Sequence, residues 1–307
     1  MSIPSEARIV IIGGGISGCS LAYHLAKIGW KDIVLLERKK LTSGTTWHAA
    51  GLIGQLRPTL NISRLAKYSA DLYMNLEKET GISTGVKQNG SLTVALTEHR
   101  HEEILRQASM AKAFDVEANE ISVSELKSLH PFLNVNGVRG AVHLPLDGQG
   151  DPANITMALA KGARDLGVKI FEDTKVTGLN THNNSVSGVH WVNEFGKGLI
   201  RTENAANCAG MWARDFAESH GVTVPLHACE HFYIVTEPVK NLGTLPVLRI
   251  PDEQTYYKED AGKFLVGAFE LVAKPWGMDG IDENFCFDQL PDDLDHFEPI
   301  LEKAVNR

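Results

Sequence analysis

The stretch from Arg8 to Glu37 constrains the fold more than any other part of the chain. Four consecutive apolar residues, Ile9-Val10-Ile11-Ile12, make the unbroken run expected of a parallel strand buried on both faces. Gly13, Gly15 and Gly18 follow in the spacing G-x-G-x-x-G. A helical pattern then runs from Ser17 to Ile28, with Leu21, Leu25 and Ile28 on one face and Gly29 as its stop. A second apolar run, Ile33 to Leu36, ends in Glu37. Strand, glycine turn, helix, strand and acid in this register predict a Rossmann-like unit and, with it, an α/β fold.

Each part of the unit has a physical task. Gly13 permits the tight turn, Gly15 lets the backbone approach a pyrophosphate, and Gly18 lets the helix pack on the strand. The helix opens at Ile16 and Ser17, where free N–H groups and the positive end of the dipole meet the phosphates. Glu37, 19 residues beyond Gly18, is placed to accept hydrogen bonds from ribose hydroxyls and would repel a 2′-phosphate. The segment is therefore read as a dinucleotide site. Arg38 and the run Ser43-Gly44-Thr45-Thr46-Trp47-His48-Ala49-Ala50-Gly51 come next. Hydroxyls and backbone N–H groups there suit a phosphate and a sugar-alcohol chain, and the small residues suit a flat ring close to the backbone. Taken alone, His48 reads as a hydrogen-bonded structural histidine.

The segment Arg38 to Pro58, RKKLTSGTTWHAAGLIGQLRP, resembles the flavin-attachment segment of the sarcosine and dimethylglycine dehydrogenases, within the glycine-oxidase/D-amino-acid-oxidase superfamily. The resemblance continues through TGVKQNGSL, the DPAN segment at Asp151, NCAGMWAR, VPL…HFYIVTE and LPVLR, and so covers nearly the whole chain. It implies a discontinuous FAD-binding domain of the glutathione-reductase-2/D-amino-acid-oxidase type over residues 1–85 and 150–222. Residues 86–149 and 223–307 are then an inserted antiparallel-sheet substrate domain. FAD is expected to be bonded covalently to His48 through its 8α-methyl group, with adenine against the backbone at Val176 and the strand end Ala209-Gly210 closing over it, Trp212 behind.

The implied reaction is oxidative demethylation of an N-methyl amino acid, by hydride transfer from the methyl carbon to flavin N5 and hydrolysis of the iminium to formaldehyde. His231, in an H-x-Y motif, is expected on the substrate side with Tyr233, Tyr256 and Tyr257, and Arg57 is a candidate partner for the substrate carboxylate. The tyrosines read equally well as sheet packing and Arg57 as a surface ion pair. Phe269 stands where relatives carry the Tyr of G-x-Y-E, which puts activity or substrate identity in question. Electrons would leave to an electron-transfer protein, a quinone or oxygen. Two alternatives stand beside this reading: a catalytically silent regulatory or binding relative, and a non-covalent FAD amino-acid oxidase.

Composition narrows the partners. A net charge of -8 and a pI near 5.8 argue against nucleic acid and anionic membrane surfaces. No apolar run reaches the roughly 20 residues that span a bilayer. The first strand begins too soon after Met1 to leave room for a leader, so a cytoplasmic location is expected. Cys19, Cys208, Cys229 and Cys286 are far apart and read as reduced, mostly buried thiols, and no metal site is expected. A helix from Ser63 to Thr80 is expected to turn Leu65, Tyr68, Leu72, Tyr73 and Leu76 inward, and His99 and His101 to sit on a solvated helix face. The family's later glycine-rich return to FAD and its folate-binding region are not found before Arg307. An open sheet edge and weak FAD retention follow as expectations, relieved if another chain completes the edge.

Overall fold

A computed structural model of the chain describes residues 2–307. Strand Ile9–Ile12 and helix Ile16–Lys27 lie where the sequence places them, followed by strand Ile33–Leu36. All eight residues of the two strands are buried, as their unbroken apolar runs require. They form the centre of a four-stranded parallel sheet whose outer members are Ala205–Asn207 and Lys169–Phe171. Helix Pro152–Asp165 returns the chain to this sheet. It is capped by the Asp151 carboxylate on the Asn154 N–H and packs on the first helix through Ala158, Leu159 and Ala163. Beyond it, strands Lys175–His182, Ser185–Asn193 and Gly196–Arg201 make an antiparallel meander over the other face.

A seven-stranded sheet is built from residues 91–144 and 233–268. All its pairings are antiparallel except Val247–Ile250 beside Ser91–Ala95, which run parallel. One face packs on Leu126 and Leu133 below it. Helix Val123–Leu129 there begins with a full capping box, Ser122 with Glu125, a signal present in the sequence but unused above. A two-stranded ribbon, Leu52–Ile53 with Gly148–Gln149, joins the flavin-segment turn to the sheet.

The long helix is Leu60–Thr80, capped by Thr59 at the start and by Gly81 in the left-handed conformation at the end. Leu72 and Leu76 are buried as expected, whereas Leu65 is exposed and Tyr68 lies half-exposed with its hydroxyl 2.9 Å from His24 Nε2 of the first helix. His99 is exposed, but His101 is not: its ring is half-buried against Gly140 and near Glu120. Of the four free thiols only Cys19 is fully buried, and Cys229 is exposed. Among the described residues no His, Cys, Asp and Glu group could hold a metal, and no helix is long and apolar enough to cross a membrane.

Candidate functional site

The glycine turn shows why each glycine is there. Gly13 adopts φ 110°, and a Cβ on it would lie 2.4 Å from the Cys208 carbonyl oxygen. A Cβ on Gly18 would lie 2.0 Å from the Gly13 carbonyl oxygen, so Gly18 serves strand–helix packing and not the cavity. Around Gly15 the only near atom is Thr46 Oγ1 at 3.1 Å, which leaves the backbone open towards the cavity. The helix start has no acidic residue in its first turn and no side-chain cap of its own. The Ile16 N–H donates to Thr46 Oγ1 at 3.2 Å, tying the hydroxyl-rich turn to the helix start.

A cavity of about 310 Å³ lies against this turn. It is lined by Gly13, Gly15, Ile16 and Ser17 from the turn and helix start, and by Glu37 and Arg38 from the end of the second strand. Ser43, Gly44, Thr45 and Thr46 close one side, with Val176, Ala209, Gly210 and Trp212 on the other. Trp47, His48, Ala49, Ala50 and Gly51 lie beyond it, in the turn that continues to the ribbon. Gly51 backs onto Gly150, where a Cβ would lie 2.1 Å from the carbonyl oxygen.

Glu37 has a structural task besides the one expected of it. Its Oε2 accepts the Gly14 N–H at 2.7 Å and its Oε1 the Lys39 N–H at 2.8 Å, so the carboxylate braces the glycine turn. Burial pushes its pKa up while these two N–H groups pull it down. Each oxygen keeps a second lone pair, and the side chain still faces the cavity.

Arg38 takes part in a feature that sequence reasoning missed. Its guanidinium lies over the Trp212 ring, 3.9 Å from the centroid, and donates to the Glu283 carbonyl at 3.0 Å and to the Phe285 carbonyl. The Phe287 N–H donates to the Ser43 carbonyl, Lys175 pairs with Glu283, and Phe287 meets Trp47 edge-on. Residues 281–287 thus form a strap across the cavity, to which Ile281 and Glu283 contribute directly. No local pattern signals it, since Arg38 and Glu283 are 245 residues apart.

The Trp47 and His48 rings meet edge-on at 5.0 Å. Trp47 Nε1 and His48 Nε2 are buried and have no hydrogen-bond partner, and burial pushes the His48 pKa down. An orphaned ring nitrogen in a half-buried histidine runs against a purely structural role.

On the sheet, one transverse row pairs Arg249 with Tyr256, Tyr256 with Gly267, and Gly267 with Tyr233. Residues paired this way share a face. The Tyr256 ring lies flat on Gly267, where a Cβ would be 2.2 Å from its Cζ and hydroxyl oxygen. From there its hydroxyl reaches within 3.5 Å of His231 Nε2. Tyr257 alternates to the opposite face, joins the apolar core with Leu92 and Leu126, and leaves its hydroxyl without a partner. It therefore leaves the substrate-side set in which the sequence placed it. Phe269 is exposed beside the His231 and Tyr256 rings.

Arg249, not singled out from the sequence, makes no ion pair on this face, and its Nε is buried without a partner. Its guanidinium and that of Arg57 converge on Gly54, whose Cβ would be 3.5 and 3.2 Å from their respective nitrogens. The nearby Asp147 carboxylate is occupied by the Gln55 N–H and the Ser91 hydroxyl. On the neighbouring strand Thr255–Asp260, Lys258 donates from Nζ to the Ala50 carbonyl at 2.9 Å.

With this geometry in hand, the chain matches the family described as FAD dependent oxidoreductase (DAO) over residues 8–307, and it belongs to that family. It is 38% identical over 316 residues to the human mitochondrial sarcosine dehydrogenase, covering 99% of this chain and 33% of the relative. It is also 37% identical to the mouse mitochondrial pyruvate dehydrogenase phosphatase regulatory subunit, covering 100% of this chain and 35% of that protein. The chain thus spans about a third of the length of these relatives. Among solved structures, the L-proline dehydrogenase from P. horikoshii superposes with a TM-score of 0.86 at 25% identity, over 99% of this chain and 77% of that one. The residues present suit FAD: an open Gly15 backbone, a helix with no acidic residue in its own first turn, and an orphaned His48 Nε2 two residues beyond Thr46 of the cavity wall.

Proposed function

We propose that this chain carries the flavin- and substrate-binding part of an oxidoreductase that demethylates an N-methyl amino acid of the sarcosine or dimethylglycine type. The observation that carries the reading is the buried, unpartnered Nε2 of His48 in the T-W-H turn beside a dinucleotide cavity. It supports covalent attachment of FAD at that residue. The glycine turn and the Ile16 helix start would hold the pyrophosphate, Glu37 the ribose, and Val176 and Trp212 the adenine side. When bound, FAD takes up the hydride equivalent lost by the N-methyl carbon, and water hydrolyses the resulting substrate iminium to formaldehyde.

The chain's own residues prepare the amine. Two guanidiniums, Arg57 and Arg249, suit the substrate carboxylate, because the single Asp147 carboxylate beside them leaves one positive charge for an anion that arrives with its ligand. The substrate nitrogen must lose its proton before its lone pair can support the developing iminium. His231 Nε2, with the Tyr256 hydroxyl beside it, is placed to take that proton. Electrons then leave to an electron-transfer protein or oxygen. A segmental reading goes with this: residues 1–85 and 150–222 as the flavin domain, 86–149 and 223–307 as the substrate domain.

The test is to precipitate the purified chain with acid and read flavin absorbance at about 450 nm in pellet and supernatant. Flavin in the pellet, lost in His48→Ala, supports covalent attachment; free flavin points instead to a non-covalent oxidase. The likeness to a regulatory subunit, together with Phe269, favours a second reading as a catalytically silent relative. That reading predicts bound flavin that sarcosine and dimethylglycine fail to bleach without oxygen.

A further inference from the structure

The strand that ends at Ala268 leads into Glu270, whose side chain keeps only 10% of its exposure while the neighbouring His231 keeps 45%. Its Oε2 lies 3.1 Å from His231 Nδ1. Its Oε1 is buried without a hydrogen bond and lies 3.7 Å from His296 Nε2 on the C-terminal helix Leu294–Asn306. A carboxylate is only an acceptor, so the imidazole nitrogen facing it must carry the proton. Nε2 of His231 is then the lone-pair nitrogen, and it faces the Tyr256 hydroxyl at 3.5 Å. That separation is at the outer limit of a hydrogen bond, as is common before a substrate closes such a contact. Tyr256 and Phe269 lie near-parallel to the ring, their centroids 6.4 and 6.1 Å from its own.

We propose that Glu270 is the positioning residue of this site: it fixes His231 in its Nδ1–H tautomer and so leaves on Nε2 a lone pair, met by the Tyr256 hydroxyl only at 3.5 Å, to take the proton of the substrate ammonium. The inference rests on the reading of His231 as the proton acceptor. When the proton moves, one substrate N–H bond breaks and one Nε2–H bond forms, and the charge passes to an imidazolium that Glu270 neutralises. The carboxylate itself stays unprotonated and touches no substrate. His296 Nε2 stands 3.7 Å from the other oxygen without a hydrogen bond, so the carboxylate lies between histidines of two elements that are distant in sequence.

The experiment is nitrogen NMR of the full chain with ¹⁵N-labelled histidine, the His231 ring being assigned as the signal lost in His231→Phe. In the unmodified chain we expect Nδ1 protonated and Nε2 bare. In Glu270→Leu, which keeps bulk but removes the acceptor, the two nitrogens should exchange roles or average. With substrate, Glu270→Leu should lower kcat about tenfold or more while KM stays within about twofold, and Glu270→Asp should recover most of the loss. A tautomer unchanged in Glu270→Leu overturns the proposal, as does a loss expressed in KM alone. The ring spectrum needs neither turnover nor flavin. A chain that turns over no N-methyl amino acid thus defeats the proposed activity, while the spectrum still decides the role of Glu270.

Discussion

The two ends of the candidate site are built in different ways. The phosphate end is made of backbone: glycines at close approach, a helix start and a buried carboxylate that holds the turn. The substrate end is made of side chains that stand on a sheet, and its geometry depends on which face each one occupies. A backbone site tolerates almost no added atom and asks little of long-range register. A side-chain site tolerates volume but is lost by a shift of one residue.

The sharpest way to break the contrast is Gly18→Ala, because its Cβ would meet backbone 2.0 Å away. We expect loss of several kcal/mol of stability (roughly the upper range for core overpacking) and no flavin in the purified chain, read from thermal unfolding and the absorption spectrum. Acid should sort the two ends next. His130 is 3% exposed, stacks on Phe264 beneath the sheet, and is pushed by burial from its usual 6.5 down to about 4. Its folded pKa lies below its unfolded one, so the unfolded chain binds the proton first. The stability it contributes is complete above pH 6.5 and falls away towards pH 4, a loss of about 3 kcal/mol. Urea midpoints at pH 7 and pH 4.5 should differ in the parent and converge in His130→Phe.

A smaller effect is expected from Gly267→Ala, whose Cβ would displace the Tyr256 ring but leaves the flavin end untouched. Flavin content should be kept while kcat/KM falls about a hundredfold, in the range of a lost acid–base partner. If flavin content falls in step, the two ends are not separable. The smallest effect distinguishes two adjacent tyrosines. Tyr257→Phe removes a buried hydroxyl without a partner and should leave activity unchanged while raising stability by about 1 kcal/mol. Tyr256→Phe should instead lower kcat.

The same contrast explains how much was legible in the sequence. The first strand, the glycine turn, both helices of the dinucleotide unit and the cavity wall between Gly13 and Thr46 follow from local patterns, because backbone chemistry is written in consecutive residues, whereas Val176, Ala209, Gly210 and Trp212 came from the family resemblance. The face of Tyr257 was not legible, since two adjacent tyrosines in a strand read alike until one side of the sheet is known to be covered. Leu65 and Tyr68 fit an inward stripe, yet Leu65 stays exposed and Tyr68 is met by the polar ring of His24 instead of an apolar core. Arg249, Glu270 and the strap over Arg38 depend on residues brought together from far apart in the chain.

The Lys258–Ala50 contact gives the two ends a common ruler. Tyr256 and Lys258 share one face of a single strand, two residues apart, and the Lys258 ammonium is fastened to the carbonyl two residues beyond His48. The strand that carries Tyr256 and the turn that carries the proposed flavin anchor His48 are therefore tied directly by this side chain, and again through Gln149, whose side chain donates to the Glu259 carbonyl. In the proposed roles, such a contact sets the gap between substrate and flavin as a spacer does, locally and at the point where the distance counts.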